Sequence, residues 1–274
     1  MVAIFKSLKR PLRGNLHIIG GPFKEREGTM SPIAIVTGGS RGIGLAIVKR
    51  LAKDGFDVAV CYNSNEAGAR EGARAVEAAG RKAAVIRLDI SDAGQCERAV
   101  ADAVRALGGV DCLINNAGVY NRTRLQDLTV EEWDHGIAVN LSGAFYMSRA
   151  AIPHLKKSKQ ARIINVSSVL AHRGSDQGAH YTAAKAGILG LTKSLARELA
   201  PHGITVNTVA PGATDTAILA RDTPEKRKAR EKEVPLGRIG RPEDIAAAVA
   251  YLCAAEASYV TGQTIDVNGG LWMA

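Results

Sequence analysis

Short apolar runs alternate with longer amphipathic segments from residue 33 onward. The runs are rich in β-branched residues, which is typical of strands, and the first of them, Ile-Ala-Ile-Val, has no polar position. Continuously apolar strands are buried on both faces, as in parallel sheets covered by helices. The predicted strands are Ile33–Val36, Val58–Cys61, Ala83–Leu88, Val110–Ile114, Arg162–Val166, Ile204–Val209 and Thr264–Val267.

The segments between these strands have the period of helices. In the first of them Ile43, Ile47 and Leu51 recur every four positions, and Gly55 stands where a C-terminal helix cap is expected. Strands separated by helices predict an α/β fold, in which a doubly wound, seven-stranded parallel sheet carries helices on both faces. We expect a single domain over residues 30–274.

Length and composition agree with one globular domain. The chain has 274 residues, of which 46% are hydrophobic and 23% are charged, which argues against a disordered or fibrous protein. No window approaches the roughly 18 consecutive apolar residues of a membrane span. Because Cys61, Cys96, Cys112 and Cys253 lie far apart in the sequence, we expect neither a disulfide framework nor a metal site. We therefore expect a cytoplasmic location.

Two segments depart from the alternation of strands and helices. Residues 1–29 carry six basic and two acidic side chains, so +4 of the formal net charge of +9 lies there, and we expect a poorly ordered basic extension. The remaining excess is typical of a solvated surface, and we expect no nucleic-acid partner. The segment Thr216–Val234 is charged and interrupted by Pro224, which predicts a mobile lid.

A glycine-rich turn, Thr-Gly-Gly-Ser-Arg-Gly-Ile-Gly at Thr37–Gly44, joins the first strand to the first helix. Such a turn lets backbone N–H groups approach a pyrophosphate and places its charge at a helix N-terminus. It therefore predicts a dinucleotide site, although a turn selected for tight packing has the same composition. A nucleoside triphosphatase loop is disfavoured, because no Gly-Lys-Ser/Thr closes the motif.

The end of the second strand bears on which dinucleotide is bound. It reads Cys61-Tyr62-Asn63-Ser64 and has no acid to accept hydrogen bonds from a ribose 2′-hydroxyl. Arg41, within the glycine turn, can form charge-assisted bonds to a 2′-phosphate. The pattern favours NADP(H) over NAD(H), with an ordinary surface role for Arg41 as the alternative.

A tyrosine and a lysine are candidates for acid–base chemistry. Tyr181 and Lys185 are spaced i, i+4 at the start of a predicted helix, so they share one face. A nearby ammonium favours a phenolate, and we expect Lys185 to lower the pKa of Tyr181 by one to three units. Ser168 follows the strand Arg162–Val166 at the edge where open α/β sheets bind ligands, and Ser167 is the alternative hydroxyl.

Taken together, the motifs resemble the short-chain dehydrogenase/reductase family over residues 33–273, with its Rossmann-type fold. They are Thr37–Gly44, Asn115-Asn116-Ala117-Gly118, Val139-Asn140, Ser168, Tyr181-x-x-x-Lys185 and Pro211-Gly212. The resemblance implies a catalytic tetrad of Asn140, Ser168, Tyr181 and Lys185, in which Asn140 holds a water on the proton path. The implied cofactor residues are Gly38, Ser40, Arg41, Ile43, Asn63, Ser64, Asp89, Ile90, Asn116, Ala117, Gly118, Tyr181, Lys185, Pro211, Gly212, Thr214 and Thr216.

The same resemblance implies hydride transfer between nicotinamide and a carbonyl or secondary alcohol. The stretches Pro235–Asp244 and Tyr259–Met273 most resemble the corresponding segments of β-ketoacyl reductases of fatty-acid synthesis and of acetoacetyl-CoA reductases. We therefore expect NADP(H)-dependent reduction of a 3-oxoacyl thioester, carried by acyl-carrier protein or coenzyme A. Lys159 and His202 occupy the places where carrier-dependent relatives have basic residues, and His202 is the weaker cation.

Several alternatives stay open. The substrate is another small ketone, sugar or alcohol if the polar loop Ala171–His180 contacts it. A non-catalytic NADP(H)-binding regulator, a nucleic-acid binder, and a dehydratase or epimerase on the same fold are the competing classes. The resemblance also implies a homotetramer that pairs the long helices Glu131–Lys157 and Tyr181–Ala200.

Overall fold

The computed structural model describes residues 31–217, 219 and 222–273. They form one seven-stranded sheet in the order β3-β2-β1-β4-β5-β6-β7, and every neighbouring pair of strands is parallel. Each predicted strand is present within two residues of its predicted ends, and the predicted fold class is confirmed. The strands are β1 (Ile33–Val36), β2 (Asp57–Tyr62), β3 (Ala83–Arg87), β4 (Cys112–Asn115), β5 (Arg162–Val166), β6 (Thr205–Pro211) and β7 (Thr264–Val267).

The sheet is buried on both faces because its central strands carry apolar side chains at successive positions. Ile35 and Leu113 point into one core cluster, whereas their neighbours Val36 and Ile114 point into the other, and all four are inaccessible to solvent. Burial of each such side chain contributes roughly 2 kcal/mol. Alternation on a doubly covered sheet therefore explains strands without polar positions.

Helices cover both faces, with α1, α2 and α9 on one cluster and α3, α5 and α7 on the other. Gly55 follows the first helix with φ of 92°, the left-handed conformation expected of the predicted cap. The helices are α1 (Gly42–Lys53), α2 (Glu66–Ala78), α3 (Ala93–Leu107), α4 (Val130–Ile137), α5 (Gly143–Leu155), α6 (Leu170–Arg173), α7 (Ala179–Leu199), α8 (Pro224–Glu233) and α9 (Pro242–Cys253).

The predicted long helix Glu131–Lys157 is interrupted, and that prediction is wrong in this respect. A π-helical turn, Ala138–Ser142, separates α4 from α5. Within it, Nδ2 of Asn140 donates to the carbonyl of Gly136 at 2.9 Å, so a side chain satisfies a carbonyl of the preceding turn. A local departure of this kind leaves the hydrophobic period almost unchanged, which is why the sequence pattern reads as one helix. Helix α7 matches the other predicted long helix.

The strand order places the crevice of the sheet. Strand β1 lies between β2 and β4, so the chain runs outward in opposite directions on its two sides. In open α/β sheets, ligands bind at the carboxyl ends of the strands where the order reverses. Here that point is marked by the hydrogen bond from Thr37 N to Ile114 O, at 3.0 Å.

Two predicted segments lie wholly or partly outside the described residues. The basic extension, residues 1–29, lies outside the described residues, as do residues 218, 220 and 221 of the predicted lid. Helix α8 occupies most of the rest of the lid, and its mobility stays a prediction. Among the described residues, no helix has the length and apolarity to cross a bilayer, and no cluster of three potential metal ligands occurs.

Candidate active site

A cavity of about 1730 Å³ opens at the carboxyl ends of the strands, at the point where their order reverses. Every residue predicted to bind the cofactor lines it. We call its two ends, together with the residues that support them, the glycine-turn end (residues 37–44, 63–65 and 116–118) and the charged end (residues 120–123, 173–177 and 222–233). The predicted reactive groups Ser168, Tyr181 and Lys185 also line the cavity.

The glycine turn is packed against its own backbone. A Cβ on Gly44 would lie 2.1 Å from the carbonyl oxygen of Gly38, and Gly38 and Gly42 have φ of +65° and +51°. The close contact excludes a side chain at Gly44, the positive φ values favour glycine at positions 38 and 42, and the start of α1 thereby lies close to the end of β1. Arg41 is the N-cap of α1 but makes no side-chain capping bond within the described chain, and the first residues of α1, Gly42, Ile43 and Gly44, line the cavity. This cradle fits a pyrophosphate.

Two polar side chains hold the end of β1 to the end of β4. The hydroxyl of Thr37 donates to Ile114 O and accepts from the N–H of Asn116, at 3.2 and 3.0 Å. The amide of Asn116 in turn donates to the carbonyls of Thr37 and Gly38. Asn116 was predicted to line the cofactor, and its side chain is committed to bracing the turn.

The outer part of the glycine-turn end carries one cation and no carboxylate from β2. Nη2 of Arg41 lies 3.4 Å from Oγ of Ser64, and both residues are exposed next to Asn63. A further residue that sequence reasoning missed is Asn65, whose Nδ2 donates to Ser40 O at 2.9 Å while its Oδ1 caps α2. Its position directly before a helix was the available signal. Asp89, at the end of β3, accepts two hydrogen bonds from Ser91.

The structure separates the roles of the two serines after β5. The hydroxyl of Ser167 donates to the carbonyl of Lys185 at 2.7 Å, which ties β5 to α7. Ser168 instead hydrogen-bonds the side chain of Tyr181 and accepts from Leu170 N. Ser168 is thus the hydroxyl adjacent to the phenol.

The expectation of a lowered pKa for Tyr181 is wrong for this structure. Desolvation raises the pKa of Tyr181 to about 12, against the opposing hydrogen bond with Ser168. Desolvation outweighs the favourable charge of the Lys185 ammonium, which donates to Val166 O at 2.9 Å and lies 5.6 Å from the centroid of the phenol ring. Burial lowers the pKa of Lys185 itself to about 8. Near neutral pH the phenol is therefore protonated.

Asn140 lies behind this group and does not line the cavity. It is 2% exposed, and its side chain joins the π-helical turn to the loop after β4. Oδ1 accepts from Val119 N at 3.1 Å, and Nδ2 donates to Val119 O at 2.9 Å. A Cβ on Gly118 would lie 2.7 Å from Asn140 Oδ1 and 3.4 Å from Lys185 Nζ. Both polar atoms therefore border the space that a side chain at Gly118 would occupy.

The charged end contains residues that sequence reasoning did not assign. Asp222, with 2% of its side chain exposed, pairs with Arg122 Nη1 at 2.8 Å and with Arg230 Nε at 2.6 Å. Burial alone would raise the pKa of Asp222, but hydrogen bonds from the two arginines outweigh it and lower that pKa. Arg173 pairs with Glu233 at 2.6 Å, so α8 is joined to α6 and to the loop after β4.

Comparison with known proteins agrees with this geometry. A family model described as enoyl-(acyl carrier protein) reductase matches residues 38–272. A 3-oxoacyl-(acyl-carrier-protein) reductase of Staphylococcus aureus is 40% identical over 244 residues, which are 89% of this chain and 99% of that protein. A 3beta-hydroxysteroid dehydrogenase of Eggerthella lenta is 45% identical over 241 residues, which are 86% and 92% of the two chains.

Solved structures agree as well. A short-chain dehydrogenase from Burkholderia cenocepacia, crystallised in complex with NADP, is 40% identical with a TM-score of 0.84 and covers 88% of this chain and 98% of its own. The fold, the order of the motifs and these likenesses lead to one assignment. The chain belongs to the short-chain dehydrogenase/reductase family.

Proposed function

We propose that this protein is an NADP(H)-dependent oxidoreductase that interconverts a carbonyl and a secondary alcohol. The observation that carries the proposal is the placement of a partly buried Tyr181 and of buried Ser168 and Lys185 in the same cavity as the glycine turn. A proton-carrying phenol, a second hydroxyl beside it and an ammonium behind it are the groups that a carbonyl oxygen needs when it gains negative charge.

The chemistry assigned to each residue follows from its contacts. Bound NADPH supplies the hydride. Tyr181 protonates the developing alkoxide, which is a stronger base than a phenolate even when the phenol has a raised pKa. The Ser168 hydroxyl donates to the same oxygen. The buried ammonium of Lys185, with its pKa about 8, stabilises the phenolate that remains. Asn140, whose Oδ1 borders the space beside Gly118 as Lys185 Nζ does, holds the water that continues the proton path from Lys185.

NADP(H) rather than NAD(H) is the proposed cofactor. Arg41 is exposed at the mouth of the glycine-turn end, and the residues after β2 are Asn63 and Ser64, without a carboxylate that would repel a 2′-phosphate. The Burkholderia neighbour, described as a complex with NADP, gives independent support by likeness.

The first substrate class to test is a 3-oxoacyl thioester on acyl-carrier protein or coenzyme A, supported by the name of the Staphylococcus relative. Small ketones, sugars and alcohols are the second class, since Arg173, Asp176 and Gln177 give the charged end a polar lining. Lys159 and His202 are both exposed, as contact with a carrier protein requires. The proposal includes a cytoplasmic homotetramer, for which Phe145 on α5, 45% exposed, supplies an apolar contact.

Steady-state kinetics test the proposal. The kcat/KM values for acetoacetyl-CoA, a carrier-linked 3-oxoacyl group and simple sugar ketones are measured with NADPH and with NADH. Tyr181→Phe is expected to lower kcat by on the order of 1000-fold or more while NADPH affinity changes less than about threefold, because only the proton donor is removed. A variant with near-normal turnover would refute the assignment of Tyr181 as the proton donor.

The same assays separate the competing classes. A non-catalytic regulator binds NADPH and oxidises none of it with any carbonyl of the panel. A dehydratase or epimerase converts substrate with no net change in NADPH. A nucleic-acid binder shows DNA affinity that falls steeply with salt concentration.

A further inference from the structure

The ring of a second tyrosine, Tyr120, packs against the ring of Tyr181. The rings of Tyr120 and Tyr181 have centroids 4.4 Å apart and planes inclined by 31°. The ammonium of Lys185 lies over the Tyr181 ring at 5.6 Å, and the guanidinium of Arg122 lies over the Tyr120 ring at 5.8 Å. Two aromatic rings and two cations therefore form one connected group at the junction between the two ends of the cavity.

Tyr120 is held in place by the loop before α7, which is distant from it in the sequence. Its hydroxyl lies 3.1 Å from the Ser175 hydroxyl and donates to the carbonyl of Gln177 at 3.2 Å. Its ring fills the space beside Gly178, where a Cβ would lie 2.5 Å from Tyr120 Cε2 and where φ is +78°. Gly178 N also donates to Thr123 O at 2.8 Å. The loop before α7 thus fixes the ring at both its edge and its hydroxyl.

Arg122 is anchored in turn. Its guanidinium pairs with the buried carboxylate of Asp222, which also pairs with Arg230 of α8. Tyr120 is therefore fixed by the loop before α7 and approached by an arginine that α8 helps to position. None of these residues belongs to the motifs that identified the family.

We propose that Tyr120 is a positioning residue for Tyr181: its ring fixes the orientation of the Tyr181 ring and shields from water the ring face that it covers. The proposal rests on the proposed function of Tyr181 as proton donor. It assigns Tyr120 no proton transfer of its own, because its hydroxyl is committed to Ser175 and Gln177.

The electrostatics of the site agree in direction. Desolvation is the largest cause of the raised pKa of Tyr181, and Tyr120 acts in the same sense. Removing the Tyr120 ring opens one side of the phenol to water, which lowers the pKa of Tyr181. Alcohol oxidation requires the phenolate, so the acidic limb of its pH–rate profile moves to lower pH. Carbonyl reduction requires the phenol, so its alkaline limb moves to lower pH as well.

Two variants of Tyr120 and one control test this role. Tyr120→Leu removes the ring and is expected to lower kcat by about 10- to 100-fold, with NADPH affinity within about twofold of wild type and the pH limb shifted down by about one unit. Tyr120→Phe keeps an aromatic ring packed against Tyr181 and is expected to retain most of the wild-type kcat. Tyr259→Leu changes a fully exposed tyrosine remote from the cavity and leaves these quantities unchanged. If Tyr120→Leu does not fold, Tyr120→Met is judged by the same criteria.

A titration without substrate gives a second readout. Tyrosinate absorbance is followed against pH for wild type, Tyr120→Leu and the same two proteins with Tyr181→Phe added, so that the difference within each pair isolates Tyr181. A lower midpoint for Tyr181 in Tyr120→Leu supports the proposal. An unmoved midpoint, or an equal loss of kcat in Tyr120→Phe, overturns it. Retained turnover in Tyr181→Phe alone refutes instead the proposed function.

Discussion

The glycine-turn end of the cavity is formed largely by backbone, whereas the charged end is formed by long charged side chains. At the glycine-turn end the walls are backbone, and the turn is so tight that a Cβ on Gly44 would meet Gly38 O at 2.1 Å. At the charged end the walls are long side chains on loops and on α8, joined by ion pairs such as Arg173–Glu233. Backbone contacts leave little room for substitution, whereas ion pairs between partly exposed side chains are replaceable.

This difference separates what binds the common part of a ligand from what selects the variable part. A pyrophosphate is the same in every dinucleotide and suits a preformed backbone cradle. A carbonyl substrate varies from one relative to the next, as the names of the Staphylococcus and Eggerthella proteins show. We therefore expect changes at the glycine-turn end to act on cofactor affinity and changes at the charged end to act on substrate parameters.

Among the changes that test the difference between the two ends, Gly44→Ala is expected to have the largest effect. The added Cβ meets backbone at 2.1 Å and the Asn116 amide at 2.6 Å, so the turn must open. NADPH affinity, measured by calorimetric titration, is expected to fall on the order of 100-fold, which corresponds to about 2.7 kcal/mol. Gly109→Ala is the matched control, since its Cβ gains only an ordinary contact with Ile33 at 3.7 Å. Unchanged affinity in Gly44→Ala would contradict the backbone cradle.

An intermediate effect is expected for Arg41→Ala. Loss of a charge-assisted bond to a 2′-phosphate is expected to reduce the preference for NADPH over NADH by about 10- to 100-fold, with little change in NADH affinity. Arg241→Ala provides the control, because Arg241 is likewise the N-cap of a helix, α9, outside the cavity. Equal weakening of both nucleotides would assign Arg41 to the shared pyrophosphate and undo the proposed cofactor choice.

The smallest effect is expected for Asp222→Asn. A neutral amide cannot hold two guanidinium groups, so Arg122 and Arg230 lose their common anchor. We expect the substrate KM to rise by roughly 3- to 10-fold while NADPH affinity stays constant. Asp215→Asn is the control. It breaks an ion pair with Arg227, which lies on α8 as Arg230 does, but this pair is about half exposed and is expected to contribute little. A change in NADPH affinity in Asp222→Asn would mean that the two ends are not separable.

Much of the fold was predictable because its signals are local. The apolar strand Ile33–Val36, the glycine turn after it and the cap at Gly55 each depend on residues close together in sequence. The break in the predicted helix Glu131–Lys157 was not predictable from its period, because the Asn140 side chain replaces a backbone donor without disturbing the apolar face. The cavity end nearest Asp222 was missed because its pairs join residues as far apart as Arg122 and Asp222.

By itself the sequence determined the positions of the strands, the glycine turn and the i, i+4 placement of Tyr181 and Lys185. Each of these follows from backbone geometry over a few residues. Only the tertiary structure decided that Ser168 rather than Ser167 hydrogen-bonds the phenol of Tyr181, and that the ring of Tyr120 packs against the Tyr181 ring. It also reversed the predicted direction of the Tyr181 pKa shift. Desolvation depends on all the segments that close around a group, and no local spacing of residues encodes that enclosure.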